Sequence, residues 1–333
     1  MKKVWFAVIT SALALVIIVL AGELLVRFVA PQPYLHPRLQ YSEDYGFTLY
    51  RNTRMVNGIP GGFRFYYTVN EYGYRGIPVP PAPEKGRVRI VVLGDSYGFG
   101  IGVPDGEEFA SVLRNELGDG FDVINLSVGG YGLTQEIRRY YEFGRLYQPK
   151  AVILQFCAND PLDNLQNMVT EVQSDSFVFR KTNNSVAWLK QYLSRSPIQM
   201  SQLYNFLRDR VYDLVSRQQV VDARINVRKE LRSDGGGAIT PEQSFYNSLL
   251  ETFARDLHRN RVRFIMISVN GQLDQIPFIR RKVGELSLKG DMEYVDVAPW
   301  FEGLKDFGSP EGHSWGSKAH SVIGTNLAKI IRP

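Results

Sequence analysis

Arg89-Ile90-Val91-Val92-Leu93-Gly94-Asp95-Ser96-Tyr97-Gly98-Phe99-Gly100 is the stretch that decides the fold. Ile90 to Leu93 is a continuous apolar run rich in β-branched residues, the composition of a strand buried on both faces. It leads directly into Gly-Asp-Ser and a glycine-rich turn. A hydroxyl is thereby set at the carboxyl end of a strand, where open α/β sheets keep their ligand sites. A serine there can serve as a nucleophile if a base and oxyanion donors arrive from elsewhere. Alone, the tripeptide is ordinary turn chemistry, so the weight falls on the rest of the chain.

Outward from this stretch the pattern is regular. Val88 to Leu93 reads as a strand, Glu107 to Leu117 as a helix and Phe121 to Leu126 as a second strand. Thr134 to Leu146 reads as a second helix and Ala151 to Cys157 as a third strand. Pro161 to Ile239 interrupts the alternation. It is polar and mixed in charge, with apolar residues at helical spacing over Trp188 to Val220 and a break at Ser233-Asp234-Gly235-Gly236-Gly237. The pattern resumes at Thr240-Pro241-Glu242-Gln243, where Thr caps, Pro takes the first helical position and Gln the third. That helix runs to about His258, followed by strands at Val262 to Val269 and Glu293 to Val297 and a closing helix at Ser317 to Ile331. Alternating strands and helices predict an α/β chain with a parallel sheet of about five strands and a helical insertion at about 161–239. The insertion directly follows Asn159, so it reads either as a lid over a site or as a side subdomain.

The amino terminus is of another kind. Met1-Lys2-Lys3 precedes Val4 to Ala21, which carries no charge. This is close to the ~20 residues that cross a bilayer core as a helix, and long for a secretory h-region of about 7–15 residues. The length favours a retained single-pass anchor over residues 1–30. The competing reading is a cleaved signal with Val19-Leu20-Ala21 as its small-residue site. Lys2 and Lys3 favour a cytoplasmic amino terminus, which sends everything after Ala30 out of the cytoplasm. Residues 31–86 are rich in Pro, Tyr, Arg and Gly. They read as a small, mostly extended appendage with one good strand, Phe63 to Val69, and a stiff linker, Pro78 to Pro83. The regular α/β domain is expected over 87–333.

The 333 residues are enough for one α/β domain with additions, and the net charge of +5 is dispersed, with no dense basic block and no nucleic-acid motif. Nucleic acid is therefore not an expected partner. Cys157 is the single cysteine, so there is no intramolecular disulfide, and its apolar strand marks it as a small core residue. No Cys/His cluster is present to hold zinc, and no cofactor is expected.

The residues after each strand carry the chemistry. Ser96 follows the first, and Ser127-Val128-Gly129-Gly130-Tyr131-Gly132 the second. Ala158-Asn159-Asp160 follows the third and Glu311-Gly312-His313 the fifth. In a doubly wound sheet these loops share one edge. Acyl transfer needs those types: a hydroxyl to attack, an imidazole to take its proton, a carboxylate to orient the imidazole and N–H donors for the oxyanion. Gly130 can offer a backbone N–H with no side chain in the way, and Asn159 a carboxamide N–H.

With these blocks in this order, the chain from Val88 onward resembles the SGNH/GDSL hydrolases. The likeness lies in Gly94-Asp95-Ser96, in Asn125 to Gly132, in Ala158-Asn159-Asp160 and around His313. The apolar helix followed by Glu23-Leu24-Leu25 also looks like a membrane-anchored branch of that family. The resemblance implies a three-layer, doubly wound, flavodoxin-like sheet. It further implies Ser96 as nucleophile, His313 as base, and the Ser96 N–H, Gly130 N–H and Asn159 side chain as oxyanion hole. Two departures stand out. Ala158 replaces the usual Gly before Asn-Asp. Glu311 stands two residues before the histidine where an Asp is usual, and the position three before is Pro310. Glu311 is the candidate acid, with a carbonyl or water as the alternative partner of the imidazole.

Other motifs have plainer readings. Gly312-His313-Ser314-Trp315-Gly316 matches a nucleophile elbow, but a loop precedes it and no acid follows Ser314. His36 reads as a surface residue, His258 as a cation near a helix carboxyl end, and His320 as a packing or hydrogen-bonding residue. Asp95 and Asp160 read as supports that brace turns near the site. Tyr97, Tyr131 and Trp315 read either as the lining of a sugar- or acyl-binding surface or as aromatics at a loop edge. Three functions fit the sequence. The first is an extracytoplasmic, membrane-tethered esterase acting on acylated glycans or lipid esters. The second is an O-acyltransferase for a surface polysaccharide, and the third a non-catalytic binding or assembly protein on the same scaffold.

Overall fold

The computed structural model describes residues 1–82, 84, 86–182, 187–211 and 240–332. The break expected at 233–237 and the end of the helical spacing at 212–220 lie outside the described residues. The chain opens with helix α1 (Lys2–Val29), then short strands β1 (Tyr34–His36), β2 (Gln40–Ser42), β3 (Gly46–Thr48), β4 (Thr53–Gly58) and β5 (Arg64–Val69). The α/β part follows with β6 (Val88–Leu93), α2 (Ser96–Phe99), α3 (Phe109–Leu117), β7 (Phe121–Asn125), α4 (Leu133–Glu142), β8 (Ala151–Phe156) and α5 (Asp160–Gln166). Then come β9 (Thr170–Gln173), β10 (Ser176–Phe179), α6 (Ala187–Arg195) and α7 over 202–211. The chain closes with α8 (Pro241–Arg259), β11 (Arg263–Ser268), α9 (Pro277–Lys289), β12 (Glu293–Val295) and α10 (Ser317–Ile331).

The five expected strands form one parallel sheet in the order β7-β6-β8-β11-β12, the flavodoxin-like order. Side chains alternate across the pleat, and both faces are apolar. Val91, Leu93, Val152 and Leu154 pack under α4, α8 and α9. Ile90, Val92, Ile153 and Ile265 pack under α3 and α10 on the other face. This is the three-layer architecture. Strand order reverses between β6 and β8, so their carboxyl ends splay into a crevice.

Capping fixes the resumption of the pattern at α8. Thr240 Oγ1 accepts from Gln243 N and Gln243 Oε1 from Thr240 N, both at 3.3 Å. Several boundaries shift. The second helix ends at Glu142 and passes through a 3-10 turn at Gly144–Tyr147. The last strand ends at Val295. Helix α9 was not anticipated. Its stripe of Phe278, Ile279, Val283 and Leu286 is short and broken by Gly284, yet it is the crossover that two parallel strands require. The insertion contains a hairpin, β9–β10, turned by Ser174 and Asp175 at positive φ.

Residues 31–86 form short strands that pack on the sheet. β1, β4 and β5 make an antiparallel sheet, and Arg75 bridges Val69 of β5 to Asn125 of β7. Tyr45, Leu49, Met55 and Tyr67 share an apolar cluster with Phe99, Val128 and Tyr131 from the loops of the main sheet. The Pro-rich stretch is tied down as well: Arg89 donates to the carbonyls of Pro80, Pro81 and Ala82 at 2.8–3.1 Å. His36, expected at the surface, lies in β1 and is half-buried.

The Arg75 guanidinium is fully buried. It donates to Asp105 Oδ1 (2.9 Å) and to the carbonyls of Phe99 (3.0 Å), Gly100 (2.5 Å) and Val103 (2.8 Å), with the buried Glu108 carboxylate 3.7 Å away. Removing it strands a buried carboxylate and three carbonyls. Arg75→Met is expected to cost about 3 kcal/mol of unfolding free energy, read from the shift of the denaturant midpoint; a change under about 0.5 kcal/mol would contradict this role.

Candidate active site

The site begins where β6 ends. Asp95 caps the single-turn helix α2, its Oδ1 accepting from Tyr97 N at 2.9 Å. A second support comes from the middle of the sheet. Gln155, the lone polar residue of β8 and fully buried, accepts through Oε1 from Asp95 N (3.2 Å) and Gly98 N (2.7 Å). A Cβ on Gly94 would lie 2.6 Å from that oxygen, so glycine makes room for the carboxamide. Asn125, at the end of β7, donates from Nδ2 to Gly98 O at 2.9 Å. The turn that presents Ser96 is thus held by side chains from both neighbouring strands.

His313 reaches this turn from the loop before α10. Its Nε2 is 2.9 Å from Ser96 Oγ, and its Nδ1 is hydrogen-bonded to Glu311 Oε2. The loop closes on itself: Ser309 N donates to His313 O (2.8 Å) and Gly312 N to Ser309 O (3.0 Å). Ser309 Oγ ties it to Gly102 O (2.8 Å), just beyond α2. The Tyr97 ring meets the imidazole edge-on at 4.8 Å. Ser96, Glu311 and His313 are half-buried and open to solvent on one side. Ser314, of the elbow-like motif, only pairs with Tyr97 Oη at 3.2 Å and has no strand before it.

The loop after β7 runs beside the serine, with a Cβ on Gly129 falling 3.7 Å from Ser96 Cβ. Gly130 has φ +82°, a conformation that favours glycine. The Ser96 and Gly130 N–H groups make no hydrogen bond among the described residues. Asn159 reaches the same edge, but Nδ2 donates to Asp163 Oδ2 (2.6 Å) and, at 3.5 Å, to Asp95 Oδ2. Its carboxamide is oriented by two carboxylates and is not free of protein partners.

Asp95 and Asp160 both brace turns. Asp160 Oδ2 accepts from Cys157 N at 3.0 Å. Burial pushes the Asp95 carboxyl above the ordinary range, against hydrogen bonds from Tyr97 N and Asn159 and the nearby His313. Burial and the mutual proximity of carboxylates push Asp160 and Glu136 much further. Cys157 is a buried core residue whose Sγ contacts Gln272 Oε1 at 3.2 Å. His320 packs flat on Phe109, accepts Phe109 N at Nδ1 (3.0 Å), and is held down to about 3 by burial. His258 sits near the end of α8 with Nδ1 3.2 Å from Gly290 O. Trp315 and Tyr131 are fully buried. Tyr131 stacks on Tyr45 and donates to Phe47 O at 2.9 Å, so neither aromatic lines an open surface.

Gln155, Asp163 and Glu136 were not expected at the site, and Asn125, part of the Asn125 to Gly132 block, had no role of its own expected from the sequence. The available signal was a single polar residue inside an otherwise apolar central strand, Ala151-Val152-Ile153-Leu154-Gln155-Phe156.

No protein-family model matches this chain, and no curated protein matches it. Solved structures of GDSL-family lipolytic proteins and esterases are similar to it at low identity. One, described as a lipolytic protein of the G-D-S-L family from Desulfitobacterium hafniense, has 12% identity and TM-score 0.42 over 74% of this chain and 100% of that one. The psychrotrophic esterase from Pseudoalteromonas has 12% identity and TM-score 0.40, covering 72% and 94%. The lipase/acylhydrolase from Enterococcus faecalis has 12% and 0.39, covering 73% and 95%.

Glu136 gives a pH test of the buried carboxyl cluster. Above its ordinary value of 4.5 the unfolded chain releases this proton while the folded chain keeps it. The carboxyl therefore lowers stability as pH rises from 4.5 toward its folded pKa. Glu136→Gln, neutral throughout, is expected to gain at least about 1 kcal/mol on the parent protein between pH 4 and pH 8 in denaturant unfolding. Parallel stability curves would contradict the assignment.

Proposed function

We propose that this protein is a serine esterase that hydrolyses O-acyl esters outside the cytoplasmic membrane, to which α1 tethers it. The observation that carries the reading is the hydrogen-bonded line from Glu311 through His313 to Ser96 Oγ, beside two backbone N–H groups that make no hydrogen bond among the described residues. Ser96 Oγ attacks the ester carbonyl as His313 Nε2 takes its proton. Glu311 holds the Nδ1–H tautomer and stabilises the imidazolium. The Ser96 and Gly130 N–H groups receive the developing oxyanion. His313 then protonates the leaving alcohol, which departs and leaves an acyl group on Ser96. Water, deprotonated by His313, attacks that acyl-enzyme and releases the acid. The Asn159 carboxamide, already aimed by Asp163, is the third oxyanion donor in this reading. It would turn one N–H from Asp95 toward the oxyanion.

The amino-terminal helix supports the location. It has 28 residues and is apolar enough to cross a membrane, none of its most apolar window is buried, and Lys2 and Lys3 open its first turn. An active domain on the far side of the membrane from those lysines would meet acylated envelope glycans and lipid esters. Transfer of the acyl group to a sugar hydroxyl would use the same residues.

The test is hydrolysis of a short-chain aryl ester by the full-length protein in detergent. Ser96→Ala and His313→Ala are each expected to lower kcat by about 10³-fold or more with folding retained. Glu311→Gln is expected to lose less than either. Turnover that survives Ser96→Ala would overturn the reading.

A further inference from the structure

Helix α1 does not leave the folded domain as a free stalk. The carboxylate of Glu23 accepts from Ser201 Oγ (2.8 Å), Leu203 N (2.9 Å) and Gln202 N (3.1 Å), so it caps the start of α7. Gln32 N donates to Gln202 Oε1 at 2.5 Å, a second tie between the same segments. Leu203 lies against Gly22: a Cβ there would sit 3.2 Å from its Cδ2. One turn further, Val26 is the buried apolar residue of α1.

These contacts fix a depth. The span from Val4 to Glu23 rises about 30 Å at 1.5 Å per residue, the thickness of a bilayer's hydrocarbon core. With Lys2 and Lys3 at one boundary, Glu23 falls at the other, and it brings the start of α7 to that level. From there Leu203, Leu207 and Val211 follow at four-residue spacing on one face of α7. The first touches α1, and the next two are 52% and 57% exposed. Ile198 and Met200, on the turn before α7, are also exposed, as are Leu24, Leu25 and Phe28 on α1. Arg27 is partly exposed nearby, and Arg210 covers the Phe206 ring at 5.2 Å. An apolar stripe edged by basic side chains, beginning at headgroup depth, has the chemistry of an interfacial helix.

We propose that the Leu207–Val211 face of α7, with Ile198 and Met200, lies in the lipid headgroup region beside the exit of α1. This rests on α1 spanning the bilayer. It makes the membrane a two-point contact that holds the catalytic domain in one orientation over the lipid.

The test uses full-length protein in vesicles of phosphatidylcholine and phosphatidylglycerol. An environment-sensitive label is placed on Leu207→Cys, Val211→Cys, Leu13→Cys or Leu288→Cys, with the buried Cys157 as background. Leu288, 91% exposed on α9, is the aqueous reference. At positions 207 and 211, quenching by headgroup-proximal spin-labelled lipid is expected to exceed that at 288 by about twofold or more, with iodide quenching reduced to a similar extent. Glu23→Ala should lower lipid quenching at 207 and leave it unchanged at 13. Lipid quenching at 13 with iodide access at 207 and 211 would overturn the proposal. So would shielding of 207 and 211 from both quenchers, which would mean that protein covers the stripe. No quenching at 13 by lipid spin-labelled deep in the acyl chain would overturn the anchor itself, and with it this proposal.

Discussion

The rest of the site depends on how the backbone is held where β6 turns into α2. A sharp strand-to-helix turn leaves N–H groups and carbonyls that must find partners when buried. Here one carboxamide oxygen, Gln155 Oε1, takes two of the N–H groups, and Asp95 takes a third. From the opposite side the Arg75 guanidinium takes three carbonyls of the same segment. Ser96 is therefore presented by a turn hydrogen-bonded at both ends by buried side chains. Each of those buried N–H groups left unpaired would cost about 1–3 kcal/mol. That cost explains why a polar residue interrupts the most apolar strand of the sheet, and why glycine precedes Asp95.

His313 is held by a different device. The Ser309–His313 loop closes through two backbone bonds and is pinned to Gly102 by a serine hydroxyl. Because Glu311 and His313 sit two residues apart on one closed loop, the Glu311 carboxylate meets Nδ1 from within that loop. The loop seats the Glu311 carboxylate against the imidazole. Tyr97, the residue after Ser96, adds an edge contact to the imidazole and so links the two segments.

Much of this was legible in the chain, for physical reasons. Central strands buried on both faces are continuous apolar runs, so β6, β7, β8 and β11 stood out. The Thr-Pro-Glu-Gln start of α8 carried its own capping chemistry. The chain order of Ser96, Gly130, Asn159 and His313 placed them on one sheet edge once the sheet was parallel. What stayed hidden depended on tertiary partners. Nothing local says that Gln155 faces a turn sixty residues earlier in sequence, or that Asp163 turns the Asn159 carboxamide. Residues 31–86 read as extended because their strands are short and their apolar partners, Phe99, Val128 and Tyr131, lie elsewhere in the chain. Helix α9 was lost to a weak stripe interrupted by Gly284.

In the proposed mechanism Ser96 Oγ is a nucleophile activated by His313. The most direct measurement is intact-mass and peptide mapping of the full-length protein after exposure to a fluorophosphonate, which modifies activated serines covalently. A single adduct is expected, located on Ser96, that is lost when His313 is replaced by alanine and the fold is retained. An adduct on Ser314, or no adduct on a folded protein, would contradict it.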